Sequence, residues 1–170
     1  MHWADGSGCG ARQRDVRVNF LDTKVPPPVV AIVLAVAAWA ISPGVTVMAF
    51  PSPVPIAVAL VVGLAGLAAE GAGAASFIRA RTSVDPTHPR GASTLVVTGI
   101  YRRTRNPMYV GDALILLGWA LYLSNALAFA AVPLFILYMD RFQIAPEERA
   151  MSELFGERYD AYRASVRRWV

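Results

Sequence analysis

Four long apolar segments dominate the pattern of hydrophobic and polar positions along the chain. The first runs from Val25 to Phe50 without a charged residue, and the second runs from Val54 to Ile78 with Glu70 as its one charge. A helix needs about 20 apolar residues to cross the hydrocarbon core of a bilayer. Both segments meet that length, and they predict two membrane-spanning helices.

The third and fourth apolar segments are shorter and follow each other closely. They run from Met108 to Leu123 and from Ala126 to Met139, with Ser124 and Asn125 between them. A helix of about 16 residues measures only about 24 Å, which is less than the roughly 30 Å of hydrocarbon core. We predict two short spans that form a helical hairpin, and a re-entrant hairpin is the alternative.

The predicted fold class is all-α: a polytopic membrane helical bundle of about four transmembrane helices with a cytosolic amphipathic C-terminal helix. A poorly ordered lead is predicted over residues 1–24, followed by a single membrane domain over residues 25–170. The predicted spans cover about residues 25–50, 54–78, 107–124 and 125–141, with a loop over 79–106 and a tail over 142–170.

The distribution of charge orients these helices. All 16 basic residues lie in the N-terminal lead, in the loop after the second span or in the C-terminal tail. Because basic residues collect on the cytosolic side of membrane proteins, both termini and the loop are predicted to be cytosolic. The same rule accounts for the net charge of +4 better than nucleic-acid binding does.

The C-terminal tail carries a helical pattern of large apolar residues. After Phe155 they recur at spacings of four, three, four and three, at Tyr159, Tyr162, Val166 and Trp169. This spacing predicts an amphipathic helix that reaches Trp169. Such a helix suits either a position at the lipid interface or a lid that also contacts a ligand.

Glu70 lies inside the second predicted span. A carboxylate inside a bilayer is costly, and it usually faces the bundle interior with a partner or a function. Two interpretations stay open: a functional carboxylate, or one that Ser76 or a neighbouring helix satisfies.

A basic stretch precedes the third span. Arg102, Arg103 and Arg105 lead into Asn106 and Pro107, where a helix is predicted to begin at the membrane surface. Free amides at a helix start next to guanidinium groups suit a carboxylate or a phosphate. Composition alone favours the plainer interpretation, which is positive-inside anchoring plus a tight turn.

Charged residues also cluster just beyond the fourth span, at Asp140, Arg141, Glu147 and Glu148. Carboxylates in this position suit a cationic ligand. They are also typical of a solvated helix start, since Pro146 and acidic residues favour the first turn of a helix, here predicted from Pro146 to Leu154.

Several functional classes lack their sequence signatures. Cys9 is the only cysteine, and His2 and His88 are isolated, so neither a disulfide within the chain nor a metal site is predicted. The sequence also has no Ser-His-Asp set, no Walker phosphate loop and no dinucleotide glycine fingerprint.

The motifs, taken in their order, resemble a known family. They are VPPPV at 25–29, TSVDP at 82–86, LVVTGIYR at 95–102, RNPMYVG at 105–111, Glu147-Glu148, LFG at 154–156, Tyr159, Tyr162 and VRRW at 166–169. Over about residues 22–170 they resemble the isoprenylcysteine carboxyl methyltransferase and phospholipid methyltransferase superfamily, specifically its small bacterial-type members.

This resemblance implies an integral membrane methyltransferase that takes S-adenosylmethionine from the cytosol and an amphiphilic acceptor from the lipid. The cofactor-binding residues that it implies are Arg105, Asn106, Pro107, Tyr109, Gly111, Glu147, Glu148 and Tyr159. Many members have His where this chain has Asn106. Because Asn can hydrogen-bond but cannot titrate, it cannot act as a general base.

Three residues are predicted to act on the methyl acceptor. Arg141 is predicted to hold a carboxylate acceptor, and Glu148 or Asp112 to remove the proton of an amine. Methyl transfer itself depends mostly on proximity and alignment, since a sulfonium is a good leaving group. A prenylated cysteine, a phospholipid amine, an isoprenoid and a small thiol all fit as acceptors.

Two alternatives compete with the methyltransferase. An NADPH-dependent membrane sterol-type reductase shares a similar Arg-His-x-x-Tyr-x-Gly-Asp stretch, which Tyr109 to Asp112 matches. A non-catalytic membrane subunit would keep the fold and bind no cofactor. The Glu147-Glu148 pair and the ending at Trp169 favour the methyltransferase.

Overall fold

The computed structural model describes residues 25–44, 56–80 and 94–170, and the regular elements within these ranges are all helical. Helix α1 spans Pro27–Ile41 and continues into a 3₁₀ turn, α2 spans Ile56–Ala80, and α3 spans Pro107–Leu123. The predicted N-terminal lead lies outside the described residues, as do parts of the predicted first span and of the loop.

Helix α3 leads through a tight turn into the following helix. Ser124 adopts a left-handed conformation with φ 51°, and its amide donates to the carbonyls of Ala120 and Leu121. Asn125 accepts a hydrogen bond from the amide of Leu127 at 2.9 Å. The hairpin turn predicted at Ser124 and Asn125 is therefore present.

The helix after this turn is longer than the sequence pattern predicts. A 3₁₀ segment, helix α4 (Ala131–Tyr138), a π turn (Met139–Ile144) and helix α5 (Ala145–Phe155) run on as one continuous helix. The predicted break between a short span ending near residue 141 and a separate helix from Pro146 is wrong.

The π turn explains how this helix continues through a proline. The amide of Ala145 donates to the carbonyl of Asp140, five residues earlier, so this turn is wider than an α-helical turn. Pro146 follows at once, and a proline ring clashes with the carbonyl four residues earlier in a regular helix. The wider turn thus lies where the regular geometry could not be kept.

The tail forms a shorter helix than predicted. Helix α6 spans Glu157–Ser165, and Val166 is extended with φ −124° and ψ 135°. The predicted helical turn through Trp169 is therefore wrong, although Trp169 does pack against the hydrophobic core. We call residues Val166–Val170 the strap.

Helices α2 and α3 make the most extensive contact in the described fold. A Cβ atom on Gly111 would lie 2.7 Å from the carbonyl oxygen of Gly66 and 2.5 Å from Cγ of Glu70. Small residues let membrane helices approach this closely. At this contact the carboxyl groups of Glu70 and Asp112 are hydrogen-bonded to each other.

This contact answers the question that the sequence left open about a partner for Glu70. The hydroxyl of Ser76 donates to the carbonyl of Ala72 at 2.8 Å within its own helix. Asp112 of α3 is the partner of Glu70.

The surface of the bundle indicates a membrane protein. Helix α2 and the continuous helix Ala126–Phe155 are long and apolar enough to cross a bilayer, and only 17% and 33% of their apolar windows are buried. A core helix of a soluble domain would be mostly buried, and so much exposed apolar surface calls for lipid. Helices α1 and α3 are shorter apolar helices.

Candidate functional site

A cluster of buried charges lies where the start of α3, the π turn, α5 and the strap meet. Its centre is Glu148, which is only 8% exposed. Arg168 binds both of its carboxylate oxygens, with Nη2 2.6 Å from Oε2 and Nε 3.1 Å from Oε1. Arg105 approaches from α3, with Nη1 3.0 Å from Oε1. Two guanidinium groups thus compensate the buried carboxylate.

Arg168 links this carboxylate to Asp140. Its Nη1 donates to Oδ1 of Asp140 at 3.2 Å, and the indole Nε1 of Trp169 donates to the same oxygen at 3.2 Å. The hydrogen bonds to Glu148, with a smaller contribution from Asp140, raise the pKa of Arg168 against the opposing effect of burial. The guanidinium group therefore stays charged.

Glu147 forms the second polar centre. Its Oε1 accepts from the Tyr109 hydroxyl and from Nε2 of Gln143, each at 2.7 Å. Tyr109 and Gln143 are both buried. The two donors fix the orientation of the Glu147 carboxyl group beside that of Glu148.

Replacing Tyr109 with Phe is expected to lower the free energy of unfolding by about 1–3 kcal/mol, the usual cost of removing one partner of a buried hydrogen bond. The ring stays in place while Glu147 loses one of its two donors. Thermal unfolding in detergent measures the change. Tyr122→Phe is the matched control, because Tyr122 is 53% exposed; equal melting temperatures for the two variants would contradict this assignment.

Arg105 has hydrogen-bonding capacity that the described residues do not use. Its side chain is 11% exposed, and its Nε and Nη1 have no hydrogen-bond partner among the described residues. Nη1 is close enough to Glu148 for an ion pair, but outside hydrogen-bond geometry. Buried donors without an acceptor are costly, so an acceptor group from a ligand would stabilise this guanidinium.

Tyr159 of α6 completes this side of the cluster. Its hydroxyl is hydrogen-bonded to Arg105, and burial raises the pKa of Tyr159 to about 12. The phenol is therefore neutral at physiological pH, and it does not offset the positive charge of Arg105.

The strap crosses the start of α3. The amide of Arg105 donates to the carbonyl of Arg167 at 3.0 Å. The carbonyl of Arg168 accepts from the Thr104 hydroxyl at 3.2 Å and from Nδ2 of Asn106 at 3.0 Å. The Asn106 side chain therefore contacts the strap, and it makes no capping hydrogen bond to α3.

The structure brings together most of the cofactor-binding residues that the sequence predicts. Arg105, Tyr109, Glu147, Glu148 and Tyr159 form the cluster and its immediate neighbours. Asn106 joins it through the strap, and Pro107 is buried in the first turn of α3.

Three other predicted residues lie apart from this cluster. Gly111 faces α2 rather than the cluster, and Asp112 is paired with Glu70. Arg141 is exposed, with its guanidinium carbon 5.6 Å from the ring centre of Phe142. The cofactor contact of Gly111 and the roles of Arg141 and Asp112 stay predictions.

Four members of the cluster were not among the predicted site residues: Asp140, Gln143, Arg168 and Trp169. Asp140 had a sequence signal, because it belongs to the charged group beyond the fourth span. The spacing in the tail singled out the apolar positions of a helix, and Arg168 is not one of them. Gln143 carries no signal, because a single amide in a helix has many uses.

Apolar helices with a lipid-type surface, and an arginine–carboxylate cluster around the buried Glu148, define a membrane protein with a polar site beside its apolar helices. Residues 58–158, more than half of the chain, match the family described as phospholipid methyltransferase. The chain belongs to this family of methyltransferases, and the predicted resemblance is confirmed. The match includes Arg105 and Glu148 and ends before the strap.

One curated relative is an uncharacterized protein from Haemophilus influenzae (strain ATCC 51907 / DSM 11121 / KW20 / Rd). It is 48% identical to this chain over 63 residues, which make up 37% of this chain and 100% of the relative. No solved structure matches the chain.

Proposed function

We propose that this protein transfers a methyl group from S-adenosylmethionine to an amphiphilic, lipid-like acceptor at the cytosolic face of the membrane. One observation carries the proposal: the cluster of Arg105, Glu147 and the buried Glu148 lies beside apolar helices in a chain of the phospholipid methyltransferase family. A polar cofactor and an apolar acceptor can meet at such a boundary.

The donor set of the cluster fits S-adenosylmethionine. This cofactor carries a carboxylate, an ammonium group and a sulfonium group. Arg105 would hold the carboxylate, because its Nε and Nη1 lack hydrogen-bond partners among the described residues. Glu148 supplies negative charge for the cationic groups. Glu147 is oriented by Tyr109, and because burial raises the pKa of its carboxyl group to about 7, a bound cation would favour its ionised form.

The cofactor supplies an activated methyl group, so the protein has mainly to align the reactants and exclude water. We assign alignment to the rigid part of the cluster, in which Glu147 accepts two hydrogen bonds and Glu148 is bound by two arginines. Glu148 and Asp112 remain our candidates for accepting the proton of an amine. Arg141 remains our candidate for holding a carboxylate acceptor.

The charge distribution supports a cytosolic position for this site. The loop before α3 and the tail hold most of the basic residues, and both contribute to the cluster. The exposed apolar faces of α1 and α2 suit an acceptor that arrives through the lipid. We therefore propose an integral membrane enzyme with both termini in the cytosol.

S-adenosylmethionine is expected to raise the melting temperature of the protein purified in mild detergent, whereas NADPH is not. A ligand at 100 times its Kd adds about 2.7 kcal/mol to the stability of the folded state. Incubation with S-adenosylmethionine labelled in its methyl group and a lipid extract of the source membrane should then give a labelled lipid.

Each alternative has its own outcome in this experiment. Stabilisation by NADPH alone would replace the methyltransferase with the sterol-type reductase. No stabilisation by either ligand and no labelled product would indicate the non-catalytic subunit. The chemical class of a labelled product would identify the acceptor.

A further inference from the structure

The carbonyl group of Arg168 is held by two side chains that precede α3. Thr104 donates its hydroxyl at 3.2 Å and Asn106 donates Nδ2 at 3.0 Å. The amide of Asn106 in turn donates to the Thr104 hydroxyl oxygen at 3.1 Å. These three hydrogen bonds fix the backbone of the strap at the residue whose guanidinium group binds Glu148.

The side chain of Asn106 does not cap α3, although an Asn at the N-cap position usually does. Asn is among the best N-capping residues, because its side chain can accept from the first free amides of a helix. Asn106 is the N-cap residue of α3, yet its side chain makes no capping hydrogen bond. Its amide group instead reaches a carbonyl that is 62 residues away in sequence.

We propose that Asn106 is a positioning residue, which fastens the strap to the start of α3 and so holds Arg168 against Glu148. The inference rests on the proposed function in one respect, namely that the site beside Glu148 binds the cofactor. Residue 106 then acts through an N–H donor and takes no part in proton transfer. A His at this position could supply the same donor, whereas Leu and Asp could not.

The first measurement needs no cofactor. The full-length protein in mild detergent is treated with carboxypeptidase Y, and intact mass gives the rate at which Trp169 is released. Val170 is 80% exposed, so its removal is not informative. Asn106→Leu is expected to release Trp169 about tenfold faster than wild type, because digestion follows the population of the open form. Asn106→His is expected to stay within about twofold of wild type.

Two further variants keep this test decisive. Thr104→Val removes the other donor to the same carbonyl, and it is expected to accelerate release in the same way if Asn106→Leu does not fold. Ser165→Ala is the control, because it removes a tail hydrogen bond to Tyr162 outside the strap. Wild-type release rates in both Asn106→Leu and Thr104→Val would overturn the proposal.

The second measurement separates positioning from chemistry. Asn106→Leu is expected to raise the KM for S-adenosylmethionine at least tenfold while kcat changes less than threefold. In Asn106→His the dependence of kcat on pH should match wild type. A kcat lowered more than tenfold in Asn106→Leu with an unchanged KM would show that residue 106 acts in the chemical step, and it would overturn the proposal. If wild type does not bind S-adenosylmethionine, the proposed function fails, and the release of Trp169 still tests the inference.

Discussion

Replacing Glu148 with Gln is expected to reduce methyl transfer at least a hundredfold and to weaken the binding of S-adenosylmethionine. Gln keeps the size of the side chain but removes the negative charge that Arg105 and Arg168 share. Removing one partner of a buried ion pair costs about 3–5 kcal/mol of folding stability. Arg105 and Arg168 then lose the acceptor that holds them in place, so they are no longer aligned for the cofactor. Labelled-methyl transfer and a binding titration measure the two effects.

A matched variant shows whether the loss belongs to this position. Glu157 is exposed in the first turn of α6, and Glu157→Gln removes the same charge from the same tail. It should transfer methyl groups at the wild-type rate. Wild-type turnover in Glu148→Gln would mean that the buried cluster is not the cofactor site.

Replacing Gly111 with Ala is expected to lower the free energy of unfolding by about 1–3 kcal/mol, the usual cost of overpacking. The new Cβ atom would lie 2.5 Å from Cγ of Glu70 and 2.7 Å from the carbonyl oxygen of Gly66. Because a backbone atom lies on one side, α2 and α3 must move apart. Thermal unfolding in detergent and the yield of monodisperse protein report the effect.

Helix α2 offers the control. Gly71 lies one position after Glu70, and a Cβ atom there would meet no atom within 4 Å among the described residues. Gly71→Ala should therefore unfold at the wild-type temperature or slightly above it, since Ala is favoured over Gly in a helix interior by about 1 kcal/mol. If Gly111→Ala were as stable as Gly71→Ala, the close approach of α2 and α3 would be incorrect. The comparison also tests whether Gly111 acts through packing, since a contact with the cofactor alone would change binding and leave stability unaltered.

The helices could be predicted because their apolar segments are long and the polar interruptions are few. Ser124 and Asn125 marked the hairpin turn, and Pro43 lies where α1 gives way to a 3₁₀ turn. The continuous helix through Pro146 could not be predicted, because a proline followed by acidic residues is typical of the first turn of a new helix. The helix continues through Pro146 because the π turn precedes it, and the sequence gives no sign of that turn.

Most residues of the cluster around Glu148 were predicted through the resemblance, but their contacts were not. Periodicity predicted a helix as far as Trp169, since Val166 and Trp169 fit the spacing. The strap is extended instead, because Arg168 and Trp169 then reach Asp140 and Glu148 in other helices. Contacts between residues so far apart in sequence leave no local pattern. The same holds for Glu70. Its charge inside an apolar segment was evident from the sequence, but its contact with Asp112 of α3 was not.

The π turn determines how many residues can separate Asp140 from Glu148 if both are to lie on one face of the helix. A regular α-helix rotates about 100° per residue, so residues seven apart share a face and residues eight apart diverge by about 80°. Asp140 and Glu148 are eight apart in sequence, yet both bind Arg168. The π turn accommodates one residue more than an α-helical turn, so Glu148 lies on the same face of the helix as Asp140. A related chain with one residue fewer in this interval could therefore keep the same pair on a regular helix, so the spacing of the two acids and the shape of the helix should change together.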